Sequence, residues 1–257
     1  MKYRNYNIAS ISNENGVCVI KFDAPVTTIG ENAFKNCSSL TSITIPTSVT
    51  SIGNYAFYGC TSLTKITIPE SVTSIGGYAF YNCKGELVIN SSTLAGTEYT
   101  SSNYPTYGSS GWLYGSKFTA LTIGSNVSTI GDYIFCNCSS LKTLTISEGV
   151  EIIGGYAFAS CTGLTKITIP ASVTSIGGNA FLNCVGELEV NNQKLVGTNY
   201  TSSSYPMSSS SGWLYGSAFT KLTIGSNVTK VGNYAFRACS TFTSVTIPES
   251  VTSIGSY

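Results

Sequence analysis

The chain has 257 residues, of which 42% are hydrophobic and only 10% are charged, and its formal net charge is +1. This composition supplies enough apolar material for a core, and it excludes both the basic footprint of a nucleic-acid-binding protein and the acidic surface of a cation trap. No apolar stretch approaches the length of a membrane span, and the first six residues lack the hydrophobic run of a signal peptide.

The N-terminal residues differ from the rest of the chain. Residues 1–15 are polar and follow no repeat, so we predict a cap or linker there. The segment Ile20-Lys21-Phe22 lies 23 residues before Ile43-Thr44-Ile45 and is interpreted as a starting rung. From residue 16 to residue 257 the sequence predicts a single repeat domain.

A 23-residue repeat dominates that domain. The string Ala-Phe-x-x-Cys-x-x-Leu-x-x-Ile-x-Ile-Pro-x-x-Val-x-x-Ile-Gly recurs with its cysteine at positions 37, 60 and 83, and again 101 residues further on at 138, 161 and 184. A unit this short cannot bury its own apolar face, so neighbouring copies must stack and share one elongated core. The sequence therefore predicts a solenoid in which a block of several turns is duplicated.

Each repeat predicts the same local elements. Segments such as Ile66–Ile68 alternate apolar and polar residues, which is typical of a strand with one buried face, and a proline such as Pro69 ends the strand because it lacks an N–H. Segments such as Val49–Gly53 predict a second short extended piece, with the glycine permitting a corner. Ala-Phe-x-x-Cys predicts one helical or 3₁₀ turn.

This repeat resembles that of the BspA-like leucine-rich-repeat proteins over roughly residues 16 to 257. The resemblance implies a right-handed leucine-rich-repeat solenoid with a parallel β-sheet on its concave face, and short strands and helical or 3₁₀ turns on the other faces. It also implies a secreted or surface-displayed protein of host-associated bacteria or protists, since some relatives act as adhesins. No relative's contact residues transfer, because the shared motif is the structural core.

One turn in each block carries an insertion, near 90–111 and near 191–212, and we predict that each leaves the stack as a loop. Tyr and Trp beside small polar residues give a large contact area at low entropic cost, which favours a binding role. An alternative is that the loops are struts and that their tryptophans cover the core. The candidate binding residues are Tyr104, Tyr107, Trp112, Tyr114, Tyr205, Trp213 and Tyr215.

The middle residues of the predicted strands form a second candidate surface. Most of them are threonines, which should make a nearly flat exposed row with lysines beside it. Threonine is also simply a good strand residue on an exposed face, so a structural explanation is the alternative. The candidate binding residues on this face are Thr67, Thr168, Lys65 and Lys166.

The nine cysteines favour burial over metal binding or disulfides. The chain has no His and its repeat cysteines lie one per turn, whereas a zinc site needs clustered ligands. Stacked cysteine side chains run parallel and do not converge, so we expect a ladder of small buried core residues. Cys136 stands where other repeats carry Tyr58, Tyr81 or Ala159, and it is predicted to be an exposed thiol.

Catalysis has little support. The absence of His removes the commonest general base and any Ser-His-Asp arrangement. Glu86 and Glu187 are predicted to lie about four rungs apart, which is too far for paired-carboxylate chemistry. We therefore expect no enzymatic activity, cofactor or metal.

The repeat pattern stops at Ile254-Gly255-Ser256-Tyr257, before the next Ala-Phe-x-x-Cys. The final turn should therefore expose apolar side chains and a strand edge, and we expect a longer repeat array or an end-to-end contact with another chain.

The leading hypothesis is a non-catalytic recognition or adhesion module of a bacterial surface or secreted protein. It would bind a host or bacterial protein or a glycan, and no nucleic acid, through its concave face and aromatic loops. The alternative is a structural spacer, for example in a surface appendage or a phage tail.

Overall fold

The computed structural model describes residues 8–14, 17–22, 24–107, 111–201, 203–208 and 212–256. Residues 1–7, 15, 16, 23, 108–110, 202, 209–211 and 257 lie outside the described residues, and they include parts of the predicted cap and loops. The described residues form parallel β-sheets stacked into a leucine-rich-repeat solenoid of about ten turns with little helix, which confirms the predicted fold class.

The strands are, in chain order, β1 (Ile8–Glu14), β2 (Val17–Phe22), β3 (Thr28–Ile29), β4 (Ser51–Ile52), β5 (Lys65–Ile68), β6 (Ser74–Ile75), β7 (Glu86–Ile89), β8 (Ala120–Ile123), β9 (Thr129–Ile130), β10 (Thr143–Ile146), β11 (Ile152–Ile153), β12 (Lys166–Ile169), β13 (Ser175–Ile176), β14 (Val185–Val190), β15 (Ala218–Ile224), β16 (Lys230–Val231), β17 (Ser244–Thr246) and β18 (Ser253–Ile254). Two short helices, α1 (Ser92–Ala95) and α2 (Gln193–Gly197), follow β7 and β14.

The N-terminal strands form a hairpin. Strands β1 and β2 pair antiparallel, with Ile11 opposite Ile20. The predicted starting rung at 20–22 lies in β2, and its described sheet has two strands and no parallel neighbour from the next repeat. Since only two residues separate β1 from β2, antiparallel pairing needs no long crossover.

Two four-stranded parallel sheets form the main face of the solenoid. Their strand orders are β10-β8-β7-β5 and β12-β14-β15-β17. In the first sheet Ile66 pairs with Leu87, Leu87 with Leu121, and Leu121 with Leu144, so each strand has the register that the repeat predicts. The apolar residues of these rungs point inward; Ile66 and Ile68, for example, have no exposed surface.

A second face is built from two-residue strands, in the orders β3-β4-β6, β13-β11-β9 and β16-β18. Each insertion interrupts this face by replacing a strand with a helix. The Gly131 amide donates to Ala95 at the end of α1, just as the Gly154 amide donates to Ile130 in a regular turn. The side chains of Ser91 and Asn192 accept from the amides of the third helical residues and cap α1 and α2.

The Ala-Phe-x-x-Cys segments form a third face, and they differ from the predicted helical or 3₁₀ turn. They are successive β-turns, in which the Tyr58 amide donates to Tyr55 and the Cys60 amide donates to Phe57, both at 3.1 Å. Each Ala-Phe-x-x-Cys segment, taken with the residue before it, contains two residues in the left-handed conformation, such as Tyr55 at φ 56° and Gly59 at φ 74°. Because a left-handed residue breaks a right-handed helix, no helical turn continues through the segment.

Gly53, which precedes one of these turns, allows two successive turns to stack closely. Gly53 is not left-handed, so the expected corner does not require its conformational freedom. A Cβ atom at Gly53 would lie 2.6 Å from the backbone nitrogen of Glu31 in the preceding turn. Glycine is needed there because successive backbones approach more closely than a side chain permits.

Stacked phenylalanines mark the core of each block. The rings of Phe57 and Phe80 stack at a centroid distance of 5.6 Å, and those of Phe158 and Phe181 stack at 5.9 Å. All four side chains are fully buried. At the C-terminal end of the described residues the expected exposure of apolar side chains is found at Val245, Ile247 and Ile254.

The repeat cysteines form a buried ladder with hydrogen bonds that the sequence pattern did not indicate. The thiols of Cys60 and Cys83 donate to the carbonyls of Phe34 and Phe57, both at 3.0 Å. The second block repeats this contact from Cys161 to Phe135 and from Cys184 to Phe158. The eight cysteines from Cys37 to Cys239 are free thiols, and Cys37 in the first turn is exposed. In these four contacts the thiol adds a second hydrogen bond to a phenylalanine carbonyl that already accepts a backbone amide of its own turn.

Cys136 corrects a sequence prediction, because it is buried and not exposed. The Thr106 hydroxyl of the first inserted loop donates to the Cys136 carbonyl at 2.5 Å, so the insertion covers this turn. Burial raises the pKa of the Cys136 thiol to about 11.

These environments predict a pattern of thiol reactivity. Burial, followed by the neighbouring thiol Cys60, raises the pKa of Cys83 to about 12. At about pH 8 only about one Cys83 in ten thousand would be a thiolate, so iodoacetamide should modify exposed Cys37 and spare Cys83 in the folded protein. Peptide mass mapping after brief alkylation measures this, and equal modification of both cysteines would contradict it.

The raised pKa of the Cys83 thiol also makes the free energy of unfolding depend on pH. The folded state keeps the Cys83 proton up to a pKa of about 12, whereas the unfolded thiol loses it near 9. The free energy of unfolding contributed by this group is therefore fully present below about pH 9 and is lost as the pH rises towards 12.

Candidate recognition surfaces

The first inserted loop, residues 97–107, folds back onto the stack. The Leu113 amide donates to the Pro105 carbonyl at 2.8 Å, and the Asn137 side chain donates to the Tyr104 hydroxyl at 2.6 Å. Tyr104 is half-buried, while Tyr107 is 46% exposed and contacts the Tyr104 ring. Of the loop candidates, Tyr107 is thus accessible to a partner, and Tyr104 chiefly fastens the loop to the next turn.

The second loop, Thr198–Ser208, repeats this arrangement with different contacts. The Leu214 amide donates to the Pro206 carbonyl at 2.8 Å. The Arg237 guanidinium lies 5.0 Å from the ring centroid of half-buried Tyr205 and 5.2 Å from that of Tyr234. A cation–π contact therefore holds this loop to the following turn. Tyr215, beyond the loop, is 40% exposed.

The two tryptophans belong to the core. Trp112 and Trp213 are 3% and 6% exposed, and their rings meet Phe80 and Phe181 edge to face at 6.1 and 6.2 Å. This placement favours the interpretation of the tryptophans as residues that cover the core beneath each loop.

The sheet face carries the predicted threonines and lysines, but the lysines are ion-paired. Lys65 lies 3.0 Å from Glu86, and Lys166 lies 2.6 Å from Glu189 and 3.7 Å from Glu187. The Thr122 hydroxyl, and then Lys65, lower the pKa of Glu86. Thr67 and Thr168 are half-buried between their strand neighbours. The opposite charges largely cancel, so this face offers little attraction to a charged partner.

A tyrosine cluster that was not predicted from the sequence lies in the first block. It is on the turn face, the face that the Ala-Phe-x-x-Cys segments form. We define it as Tyr55, Tyr58, Tyr78, Tyr81 and Tyr114. The ring centroids of Tyr55 and Tyr78 are 5.1 Å apart and those of Tyr58 and Tyr81 are 4.7 Å apart, with interplanar angles of 11° and 7°. Tyr114, the one member predicted from sequence, lies 5.3 Å from Tyr78 and is 36% exposed. The other four are half-buried.

The rings of the cluster hold one another in place, and a lysine lies at one end of it. The Lys35 ammonium lies 5.0 Å from the Tyr55 ring centroid and 5.5 Å from that of Tyr58, which adds a cation at one end. Partial desolvation, followed by the neighbouring tyrosines, raises the pKa of Tyr78. Each ring is held by its neighbours, so little rotamer entropy remains to be lost when a partner binds.

The duplicated block shows that the fold does not require three of these tyrosines. At the positions 101 residues further on, Ala159 replaces Tyr58, Asn179 replaces Tyr78 and Leu182 replaces Tyr81. The core residues are kept: Phe158 and Phe181 match the buried Phe57 and Phe80. A comparison of the two blocks, position by position, would have revealed the cluster from sequence.

Within the described ranges, no group of three or more His, Cys, Asp or Glu side chains is placed to hold a metal ion. The helices there are too short and insufficiently apolar to cross a bilayer.

Comparison with known proteins identifies the repeat. The profile of the BspA type leucine rich repeat region matches six copies, over residues 12–104, 89–186 and 207–257. No curated protein gives a significant match.

Solved structures of bacterial repeat proteins are similar to the chain. A leucine-rich repeat protein from Bacteroides ovatus ATCC 8483 is 28% identical with a TM-score of 0.46, over 90% of this chain and 55% of that protein, so the chain spans little more than half of it. A leucine rich cell surface protein from Faecalibacterium prausnitzii A2-165 is 27% identical with a TM-score of 0.41, over 99% and 67%. The pneumococcal vaccine antigen PcpA is 19% identical with a TM-score of 0.45, over 96% and 78%.

The stacked 23-residue turns, their cysteine and phenylalanine ladders and the profile match agree, and the chain belongs to the BspA-type leucine-rich repeat family.

Proposed function

We propose that the protein is a non-catalytic recognition module that binds a partner protein through the tyrosine cluster. The observation that carries this proposal is the difference between the two blocks: on the same core, three turn-face positions hold tyrosine in the first block and Ala159, Asn179 and Leu182 in the second, whereas the reverse exchange occurs once, from Asn32 to Tyr133. A purely structural role would serve both blocks equally. The chain has no His, and membership of the BspA-type family supports a non-catalytic role in a secreted or surface-displayed protein.

The geometry of the cluster favours a protein over a glycan. A sugar packs on the open face of an aromatic ring, whereas the faces of Tyr58 and Tyr81 cover each other at 4.7 Å. What remains for a partner is a rigid surface of ring edges and hydroxyl groups, of the kind that dominates protein recognition surfaces. Exposed Tyr107 of the first loop and Tyr215 of the second block are secondary contact candidates.

The test exchanges residues between the blocks. The triple variant Tyr58→Ala, Tyr78→Asn, Tyr81→Leu carries the residues that the second block has at the matching positions, so its turns and core should fold normally. Wild type and variant are compared for binding to a panel of immobilised extracellular-matrix proteins and to a glycan array. We expect the variant to bind the protein partner at least about tenfold more weakly, with an unchanged melting temperature.

The reverse exchange, Ala159→Tyr, Asn179→Tyr, Leu182→Tyr, is the matched control, and it should leave the affinity of the first block intact. Equal binding by wild type and the first variant would refute the cluster as the interface. Binding to glycans alone would favour the glycan alternative, and the absence of any binding by wild type would favour the structural spacer.

A further inference from the structure

A cavity of about 310 Å³ opens beside the second loop, far along the chain from the tyrosine cluster. It is an open depression that three elements line: strand β13 contributes Ser175 and Ile176, helix α2 contributes Leu195, and the second loop contributes Tyr200 and Tyr205. Trp213 completes the wall where the chain returns to the stack.

The cavity exists because the insertion interrupts the second face. Strand β13 is the last strand of its sheet, and it pairs on one side with β11. The next turn places α2 where another strand would continue the sheet, and the loop then bridges over the gap. The edge of β13 therefore faces a space that the loop partly covers.

The size of the cavity limits the ligand. Pockets for small molecules range from about 300 to 1,000 Å³, so this cavity lies at the lower limit and suits a molecule of about the size of one sugar ring. A macromolecule could place only a single terminal unit in it.

The lining limits the chemistry. No charged side chain of the described residues lines the cavity, and the Arg237 guanidinium beside it is engaged with the Tyr205 ring, so a charged ligand would lose its hydration without gaining an ion pair from the lining. The walls combine aromatic rings with the hydroxyl groups of Thr174, Ser175 and Ser204. Rings pack against the C–H face of a sugar, and hydroxyls exchange hydrogen bonds with its hydroxyls.

The ring of Tyr205 is held in place for such a contact. Arg237 lies over it, 5.0 Å from the centroid, and so fixes the ring against the following turn. The Tyr200 hydroxyl donates to the Leu195 carbonyl at 2.9 Å, which fixes the second ring against α2. Two of the walls are therefore ordered without a ligand, and little of the binding free energy would be lost in ordering them.

From this geometry we infer that the cavity between β13, α2 and the second loop binds a neutral monosaccharide, free or as the terminal residue of a glycan. The site is separate from the tyrosine cluster, and it neither requires nor excludes the proposed protein partner.

The experiment titrates the full chain with neutral monosaccharides and with their methyl glycosides. Tryptophan fluorescence of a Trp112→Phe variant reports on Trp213 alone, and saturation-transfer NMR detects the sugar. We expect saturable binding with a dissociation constant of about 1–10 mM, as suits so small a ligand. Binding of the methyl glycosides would show that the site accepts the terminal residue of a glycan, whereas binding of free sugars alone would show that the ligand is a free monosaccharide. Either result supports the site.

A cavity-blocking variant separates this site from others. Ser175 is exposed on β13 and lines the cavity, so Ser175→Tyr should obstruct it while remaining a good strand residue. We expect at least about tenfold weaker binding for Ser175→Tyr and no change for Ser74→Tyr, the matching position in the first block.

Glucuronate, which is charged, should bind more weakly than glucose. The inference is overturned if no neutral sugar saturates the wild type up to about 100 mM, if glucuronate binds as well as glucose, or if Ser175→Tyr binds like the wild type.

Discussion

Replacing Phe158 with alanine should lower the free energy of unfolding by about 3–5 kcal/mol, the largest effect that we expect from a single substitution. Phe158 is fully buried and stacks on Phe135 at 5.5 Å and on Phe181 at 5.9 Å. Removing its ring leaves a cavity at the centre of the stack, and neither neighbour can fill it without losing its own contacts. Urea unfolding followed by circular dichroism measures the loss.

The matched control is Phe34→Ala. Phe34 occupies the same repeat position and stacks on Phe57 at 5.3 Å, but it lies at the end of the stack and is only half-buried. Its replacement should cost less than half as much, because water already reaches part of the ring. Equal losses for the two variants would show that the shared core does not determine the stability of the solenoid.

The second large effect is expected for Gly53→Ala, at about 1–3 kcal/mol of lost stability. The new methyl group would lie 2.6 Å from the Glu31 backbone nitrogen, and backbone atoms cannot move aside as a flexible side chain can. Two stacked turns would have to separate locally, which weakens the hydrogen bond from the Gly53 amide to the Ile29 carbonyl, now 2.8 Å long. Thermal unfolding of the variant measures the effect.

Gly30 is the control for that substitution. It lies 23 residues earlier at the same repeat position, yet a Cβ atom there would meet nothing within 4 Å. Gly30→Ala should therefore change stability by no more than about 0.5 kcal/mol. Should Gly30→Ala and Gly53→Ala destabilise the protein equally, backbone entropy and not close stacking would be the reason for the glycine.

Much of the fold follows from the repeat alone. The pairing of Ile66 with Leu87 and of Leu87 with Leu121 could be predicted because a strand with one buried face tolerates no shift of one residue. The burial of Phe57 and Cys60 follows in the same way from their recurrence. The profile match rests on this same pattern.

The candidate site was less predictable. Tyr114 is predicted from the sequence because it directly follows an insertion, whereas Tyr58 and Tyr81 lie in regular turns and resemble ordinary variation between repeats. Their importance depends on a centroid distance of 4.7 Å between residues 23 positions apart, which only stacking produces. Trp112 and Trp213 illustrate the opposite case, since their composition suggested a binding surface and the structure buries them.

By itself, the sequence determined the period, the register, the inward-facing residues and the family, because all four depend on a pattern that each turn repeats with its neighbours. Only the tertiary structure decided how the two insertions run, that helices α1 and α2 replace strands, that Cys136 is covered, and that a cavity remains beside β13. The physical reason is that a repeated strand has one way to bury its apolar face, whereas the path of an insertion depends on contacts that no periodicity specifies.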